Sequence, residues 1–97
     1  MTGVIVTFRL GNAFNEAKVR TIAEGARPMF EGMAGLRLKA FTFDTTKGEA
    51  INFYVWDSES TAKAFFNEQL LERVTGLYGV RPEITFVQIA TLIENRS

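Results

Sequence analysis

The spacing of apolar positions divides the chain into segments of two kinds, with periods near two and near 3.6 residues. Val4-Ile5-Val6-Thr7-Phe8-Arg9-Leu10 is rich in β-branched and aromatic residues, and its even positions are all apolar. This predicts a first strand, ended by Gly11-Asn12. Ala17, Val19, Ile22, Ala23, Ala26, Met29, Phe30 and Met33 then recur at helical spacing. They predict a helix from Glu16 to about Glu31, capped by Asn15 and with Glu16 at the positive end of its dipole. Pro28 lies inside that span and is expected to kink or end the regular helix near Ala26 or Arg27. Leu36 to Asp44 reads as a second strand and Ala50 to Trp56 as a third, with Thr45-Thr46-Lys47-Gly48-Glu49 as the hairpin loop between them. Asp57 or Ser58 caps a second helix, expected from Glu59 to Leu71 on a stripe of Ala62, Phe65, Phe66, Leu70 and Leu71. A further short helical turn is expected to reach Leu77, ending near Gly79. Pro82 opens a fourth strand, Ile84 to Ile93, that is apolar on both faces. The residues from Glu94 to Ser97 are expected to fray.

Strand–helix–strand–strand–helix–strand is the ferredoxin-like order, an α+β arrangement with a four-stranded antiparallel sheet. Residues 1–97 read as one such domain. Two helices cover one face of the sheet, so the other face should be polar. It is not. Ile5 lies opposite Val4, Val6 and Phe8. Strict alternation puts Phe41 and Phe43 on one face of the second strand, with Leu36, Leu38 and Ala40 on the other. In the third strand Ile51, Phe53 and Val55 oppose Tyr54 and Trp56. An exposed apolar face of that size calls for a cover, and a second copy of the chain, sheet against sheet, is the expectation, the alternative being a few aromatics left exposed.

Composition removes whole classes of chemistry. The 97 residues include no Cys and no His, so disulfides, thiolates, His-ligated metal or haem, and every nucleophile–His pair are excluded. Eleven basic residues balance eleven acidic ones, which gives no general pull toward nucleic acid or an anionic membrane. The first apolar run lacks a basic lead-in and is interrupted by Thr7 and Arg9, unlike a signal peptide. No apolar stretch approaches the roughly 20 residues of a membrane span, so a cytoplasmic location is expected.

The third strand holds the most suggestive constellation. Asn52, Tyr54 and Trp56 alternate onto one face and offer an amide, a phenol and an indole N–H around a carbonyl or phenolate oxygen. The alternative is that Tyr54 and Trp56 are packing and Asn52 makes a cross-strand hydrogen bond. Lys39 and Arg37, two apart in the second strand and beside Phe41, are candidates to hold an anionic ligand, or else cover apolar surface with their stems. Tyr78, with Arg81-Pro82, flanks the start of the last strand, where a loop could gate a pocket. Glu68 and Glu72 have no carboxylate partner for acid–base work and read as a solvated helix face. Met29 and Met33 read as adaptable packing or a soft pocket lining.

The residues Gly35-Leu36 leading into the second strand, and Asn52-Phe53-Tyr54-Val55-Trp56-Asp57-Ser58-Glu59 leading into an Ala-rich helix, resemble the dimeric α/β-barrel superfamily. Within it the chain resembles the antibiotic-biosynthesis-type monooxygenases and, most of all, the YdhR-like monooxygenases, by Lys39 in strand two, Phe41 two residues on and Tyr54 before the second helix. The resemblance covers the layout of nearly the whole chain. It implies a homodimer whose sheets form a barrel, each subunit with an apolar pocket between sheet and helices. It also implies oxidation of a small aromatic or quinol-like molecule by dioxygen with no metal, flavin or haem. Asn52 and Trp56 match a pair that sits in the pocket of some members. Asn52, Tyr54 and Trp56 are therefore the catalytic candidates, and Lys39, Phe41, Arg37 and Tyr78 the substrate-binding ones. Members that degrade haem, isomerise or decarboxylate rely on a His, which this chain lacks. The competing function is a non-catalytic ligand-binding or stress-associated homodimer. RNA binding, which shares the strand order, needs aromatics where Glu49 and Ile51 follow Lys47-Gly48.

Overall fold

The structure is a computed structural model that describes residues 1–95. Its elements are β1 (Thr2–Arg9), α1 (Glu16–Phe30), β2 (Leu36–Asp44), β3 (Glu49–Trp56), α2 (Glu59–Phe65), α3 (Glu68–Tyr78) and β4 (Glu83–Gln88). A short 3-10 turn, Gly11–Ala13, joins β1 to α1. The sheet is antiparallel in the order β2-β3-β1-β4, a ferredoxin-like α+β fold with the helices on one face.

Cross-strand partners assign the two faces. Val4 pairs with Tyr54, Val6 with Asn52 and Phe8 with Ala50, and β2 adds Lys39 opposite Tyr54 and Phe41 opposite Asn52. Because paired residues point the same way, all of these lie under the helices. Val4, Phe8, Val55 and Trp56 are the largest fully buried side chains. The face away from the helices carries Ile5, Leu38, Ile51, Phe53, Val55 and Val87, as the alternation of the sequence requires; Val55 is buried even there, beside Gly3, which Ile89 approaches.

The second strand, the second helix and the fourth strand each depart from expectation. The second strand does not alternate strictly: Leu36 pairs with Trp56 and Leu38 with the adjacent Val55, so Arg37 is the extra residue of a bulge. The bulge puts Leu36 under the helices, opposite in face to Leu38, and it separates Arg37 from Lys39. Arg37 is exposed and ion-paired with Asp57 at 3.5 Å and Glu94 at 3.9 Å. The second helix is broken at Phe66, whose φ of −86° and ψ of 57° are not helical. Asn67 caps a separate α3 by accepting from the Leu70 N–H at 2.9 Å. Finally, β4 is only six residues long. Ile89 donates its N–H to the Met1 carbonyl, and by Glu94 the chain has crossed the sheet to Arg37, so the residues after Gln88 leave the ladder.

Pro28 does not end α1. It sits on the exposed side of the last turn, where the missing N–H deprives only the Glu24 carbonyl, and the helix runs on to Phe30. Two glycines are required by their positions. Gly48 has φ of 67°, and a Cβ there would lie 2.7 Å from the Gly11 carbonyl oxygen. Gly35 has φ of 83°, and its Cβ would meet Thr61 Cγ2 at 2.7 Å.

Candidate functional site

The site begins with two helix faces that do not close onto the sheet. α1 presents Ile22, Ala26, Met29 and Phe30, and α3 presents Leu70, Val74 and Leu77. Between them and the sheet lies a cavity of about 460 Å³, floored by Val6, Phe8, Phe41 and Ile84. Its volume falls in the range that encloses a drug-sized molecule. A second hollow, about 650 Å³, runs outside between α1 and β2; it is walled by Arg20, Glu24, Arg27 and Arg37, faces solvent, and meets the inner cavity at Phe30, Lys39 and Phe41, which line both. The inner cavity holds the concentrated chemistry.

Lys39, Asn52 and Tyr54 of the sheet and the buried Tyr78 of α3 are polar side chains that line that cavity. Strand alternation sends Asn52 and Tyr54 inward from β3, and antiparallel pairing puts Lys39 beside Tyr54. The Lys39 Nζ donates to the Tyr54 hydroxyl at 2.8 Å. The same nitrogen lies 3.4 Å from the centre of the Phe30 ring, 4.0 Å from Phe41 and 4.3 Å from Tyr54. Burial among these rings lowers the Lys39 pKa to about 7, because the charged form loses its hydration. Burial raises Tyr54 well above its ordinary value, and the neighbouring Tyr78 adds to the rise. Tyr54 therefore stays a neutral hydrogen-bonding group.

Asn52 is buried, and its side-chain amide donates to the Tyr78 hydroxyl over a long 3.5 Å. That is the one side-chain hydrogen bond it makes among the described residues, which leaves most of its capacity for another molecule. Tyr78 stacks on Phe8 with ring centres 3.7 Å apart. Burial raises its pKa, and the Asn52 amide opposes the rise. It is thus a buried wall of the pocket rather than part of a loop over it. Arg81, expected beside it at a gate, instead binds both carboxylate oxygens of Glu68, at 3.0 and 3.2 Å, and ties the lead-in of β4 to α3. Glu68 and Glu72 lie on an exposed helix face, as expected, and Glu68 is in addition an ion-pair partner.

The structure brings together five of the seven residues singled out in the sequence: Lys39, Phe41, Asn52, Tyr54 and Tyr78. Trp56 shares their face of the sheet but is not part of the cavity wall. It is fully buried under α2, 5.0 Å from Phe65 and stacked on Tyr54 at 6.1 Å, and its indole N–H has no partner among the described residues. The seventh, Arg37, borders only the outer hollow, for the bulge already described displaces it. Arg73 and Thr21 also line the cavity and were not anticipated. Arg73 lies three residues after Leu70 and four before Leu77, so its place beside the α3 stripe was readable from helical spacing. Thr21 gives its hydroxyl proton to the Ala17 carbonyl within α1, which no sequence pattern marked. Among the described residues no group of three His, Cys, Asp or Glu side chains is placed to hold a metal ion, and no helix is long and apolar enough to cross a membrane.

No protein-family model matches the chain, and no curated protein matches it in sequence. Solved structures do match in fold. A monooxygenase from the gene ActVA-Orf6 of Streptomyces coelicolor, in complex with nanaomycin D, is similar with a TM-score of 0.71 at 19% identity, over 98% of this chain and 92% of that one. SnoaB, a cofactor-independent oxygenase from Streptomyces nogalater, gives 0.63 at 14% identity, over 97% and 96%. NE2512 of Nitrosomonas europaea, a protein of unknown function, gives 0.75 at 15% identity, over 99% and 95%. The class defined is thus the ferredoxin-like fold used by antibiotic-biosynthesis-type monooxygenases.

Proposed function

We propose that the chain is a cofactor-independent monooxygenase that oxidises a small aromatic, quinol-like molecule in the cavity between sheet and helices. The observation that carries this reading is the lining of that cavity. Apart from Thr21 and Arg73 its helix walls are apolar, and the polar groups of its inner end are an amide, two neutral phenols and an amine. An aromatic ring system fits among Ile22, Met29, Phe30 and Leu77, and its oxygens meet Asn52, Tyr54 and Tyr78. Donors fixed in a dry site stabilise negative charge that develops on a ring oxygen. The electron-rich anion is then the reductant of dioxygen. With anthrone, the CH₂ carbon becomes a carbonyl, one oxygen atom enters the product and the other leaves as water. The fold shared with two oxygenases supports the reading.

The test is oxygen consumption with anthrone in buffer containing a metal chelator. The wild-type protein should accelerate uptake over the spontaneous reaction. Asn52→Ala should lose at least about tenfold, since one preorganised donor to an oxyanion is worth on the order of 10²–10³ in rate. Trp56→Phe, outside the cavity wall, should change the rate by less than about threefold. A wild-type rate equal to that of the buffer would overturn the proposal.

The same reading includes a homodimer formed through the open sheet face. Ile5, Leu38, Ile51, Phe53 and Val87 line that face, and a second sheet would cover what the residues after Gln88 leave open.

A further inference from the structure

Lys39 is the one cavity group whose surroundings the binding role leaves unexplained. Its nitrogen faces three aromatic rings, makes its only side-chain hydrogen bond among the described residues to Tyr54, and has no carboxylate within ion-pairing distance there. A lysine placed to hold an anion keeps its charge, usually with a carboxylate nearby. This one is half-buried among aromatic rings and has no counter-ion among the described residues. At the same time the ring faces are electron-rich and suit a cation once one forms.

We propose that Lys39 is the general base of the site, taking a proton from a carbon or oxygen acid, such as a phenol or an anthrone-type ketone, bound in the cavity. The choice of ligand rests on the oxygenase reading. In this step the ligand's O–H or C–H bond breaks and an N–H bond forms at Nζ. The electron pair stays on the ligand, and no oxidant takes part. The neutral amine keeps one N–H on the Tyr54 hydroxyl, which directs its lone pair, and the ammonium that results is held in the cage of Phe30, Phe41 and Tyr54 beside the new anion. A pKa lowered to about 7 matches a base that works near neutrality.

Burial sets this titration, and the titratable and charged groups that face Lys39 come from each element around it. On the cavity side they are Tyr54 of β3 and Tyr78 and Arg73 of α3. On the outer side they are Arg20, Glu24, Arg27 and Glu31 of α1 and Arg37 of β2. The two α1 carboxylates are turned toward Arg27, at 3.9 and 3.8 Å. Around Lys39 the nearest fixed charges therefore add no strong pull toward the ammonium.

The experiment separates base from oxygenase by excluding oxygen. Anthrone is mixed anaerobically with the full-length protein, and its anion is followed by absorbance across pH 5.5 to 9. Wild type should form the anion with a rate that rises through a half-maximal point near pH 7. Lys39→Met and Lys39→Arg should both lose at least about a hundredfold in that rate, together with the pH step. Arginine tests charge against basicity, since it keeps a cation but cannot accept a proton. If Lys39→Arg keeps the rate and profile within twofold, or if the wild-type protein forms no anion, the proposal is overturned. Anion formation that depends on Lys39 without oxygen uptake would uphold the base and overturn the oxygenase reading instead.

Discussion

At Lys39 one residue makes the fold depend on pH. Its folded pKa of about 7 lies below the ordinary lysine value of 10.5. Below about pH 7 both folded and unfolded chains carry the proton, and the native state bears the cost of a buried charge. Between about 7 and 10.5 only the unfolded chain holds it, so stability rises with pH. Above that range the contribution is flat. Wild type should gain stability relative to Lys39→Met as pH goes from 7 to 9, by up to about 1.4 kcal/mol per pH unit. Parallel urea melts at the two pH values check this, and parallel curves for the two proteins would refute it. Trp56 is a different case: its buried indole N–H has no partner among the described residues, and its ring packs against Tyr54, Phe65 and Phe66.

At the scale of elements, the break between α2 and α3 shapes the cavity. A continuous helix would carry Phe65 and Phe66 round by 100° per residue. The break at Phe66 instead lets both rings reach the sheet, at 5.0 Å from Trp56 and 4.9 Å from Tyr54, while α3 starts afresh and swings Leu70, Val74 and Leu77 over the cavity. The Asn67 side chain holds that new start. Asn67→Ala should lower stability by about 1 kcal/mol, and it should weaken ligand binding more than an equally destabilising change at Asn15, which caps α1. Chemical denaturation and a binding titration on both variants give the comparison. The signal for the break was present in Asn67-Glu68, a cap followed by an acid, but the apolar stripe ran through it and pointed to one helix. The β2 bulge left no such mark, since a strand that gains one residue looks in sequence like a strand that does not. Its consequence was the mistaken pairing of Arg37 with Lys39.

At the scale of the whole molecule, the sheet has helices on one side and an apolar surface on the other. A dimer through that surface predicts a solution mass about twice 10.9 kDa, read by sedimentation equilibrium. Phe53→Asp, at the centre of the open face opposite Ile5, should shift the protein toward a single subunit while leaving its far-UV circular dichroism unchanged. A wild-type protein that sediments as one subunit at tens of micromolar would remove the dimer from the reading.

Local periodicity determined the order of strands and helices, the β2–β3 hairpin and the inward set of β3, because a period of two on a paired strand leaves each side chain one choice of face. The missing His and Cys determined which chemistries the chain cannot perform. Only the tertiary structure decided that Lys39 meets Tyr54 and Phe30, that Asn52 reaches Tyr78 across 26 residues of chain, and that Trp56 lies outside the cavity its strand-mates line. Those relations depend on a bulge, a helix break and the distance at which two helices stop above a sheet. Each is set by packing between segments far apart in the chain, which no spacing along one segment records.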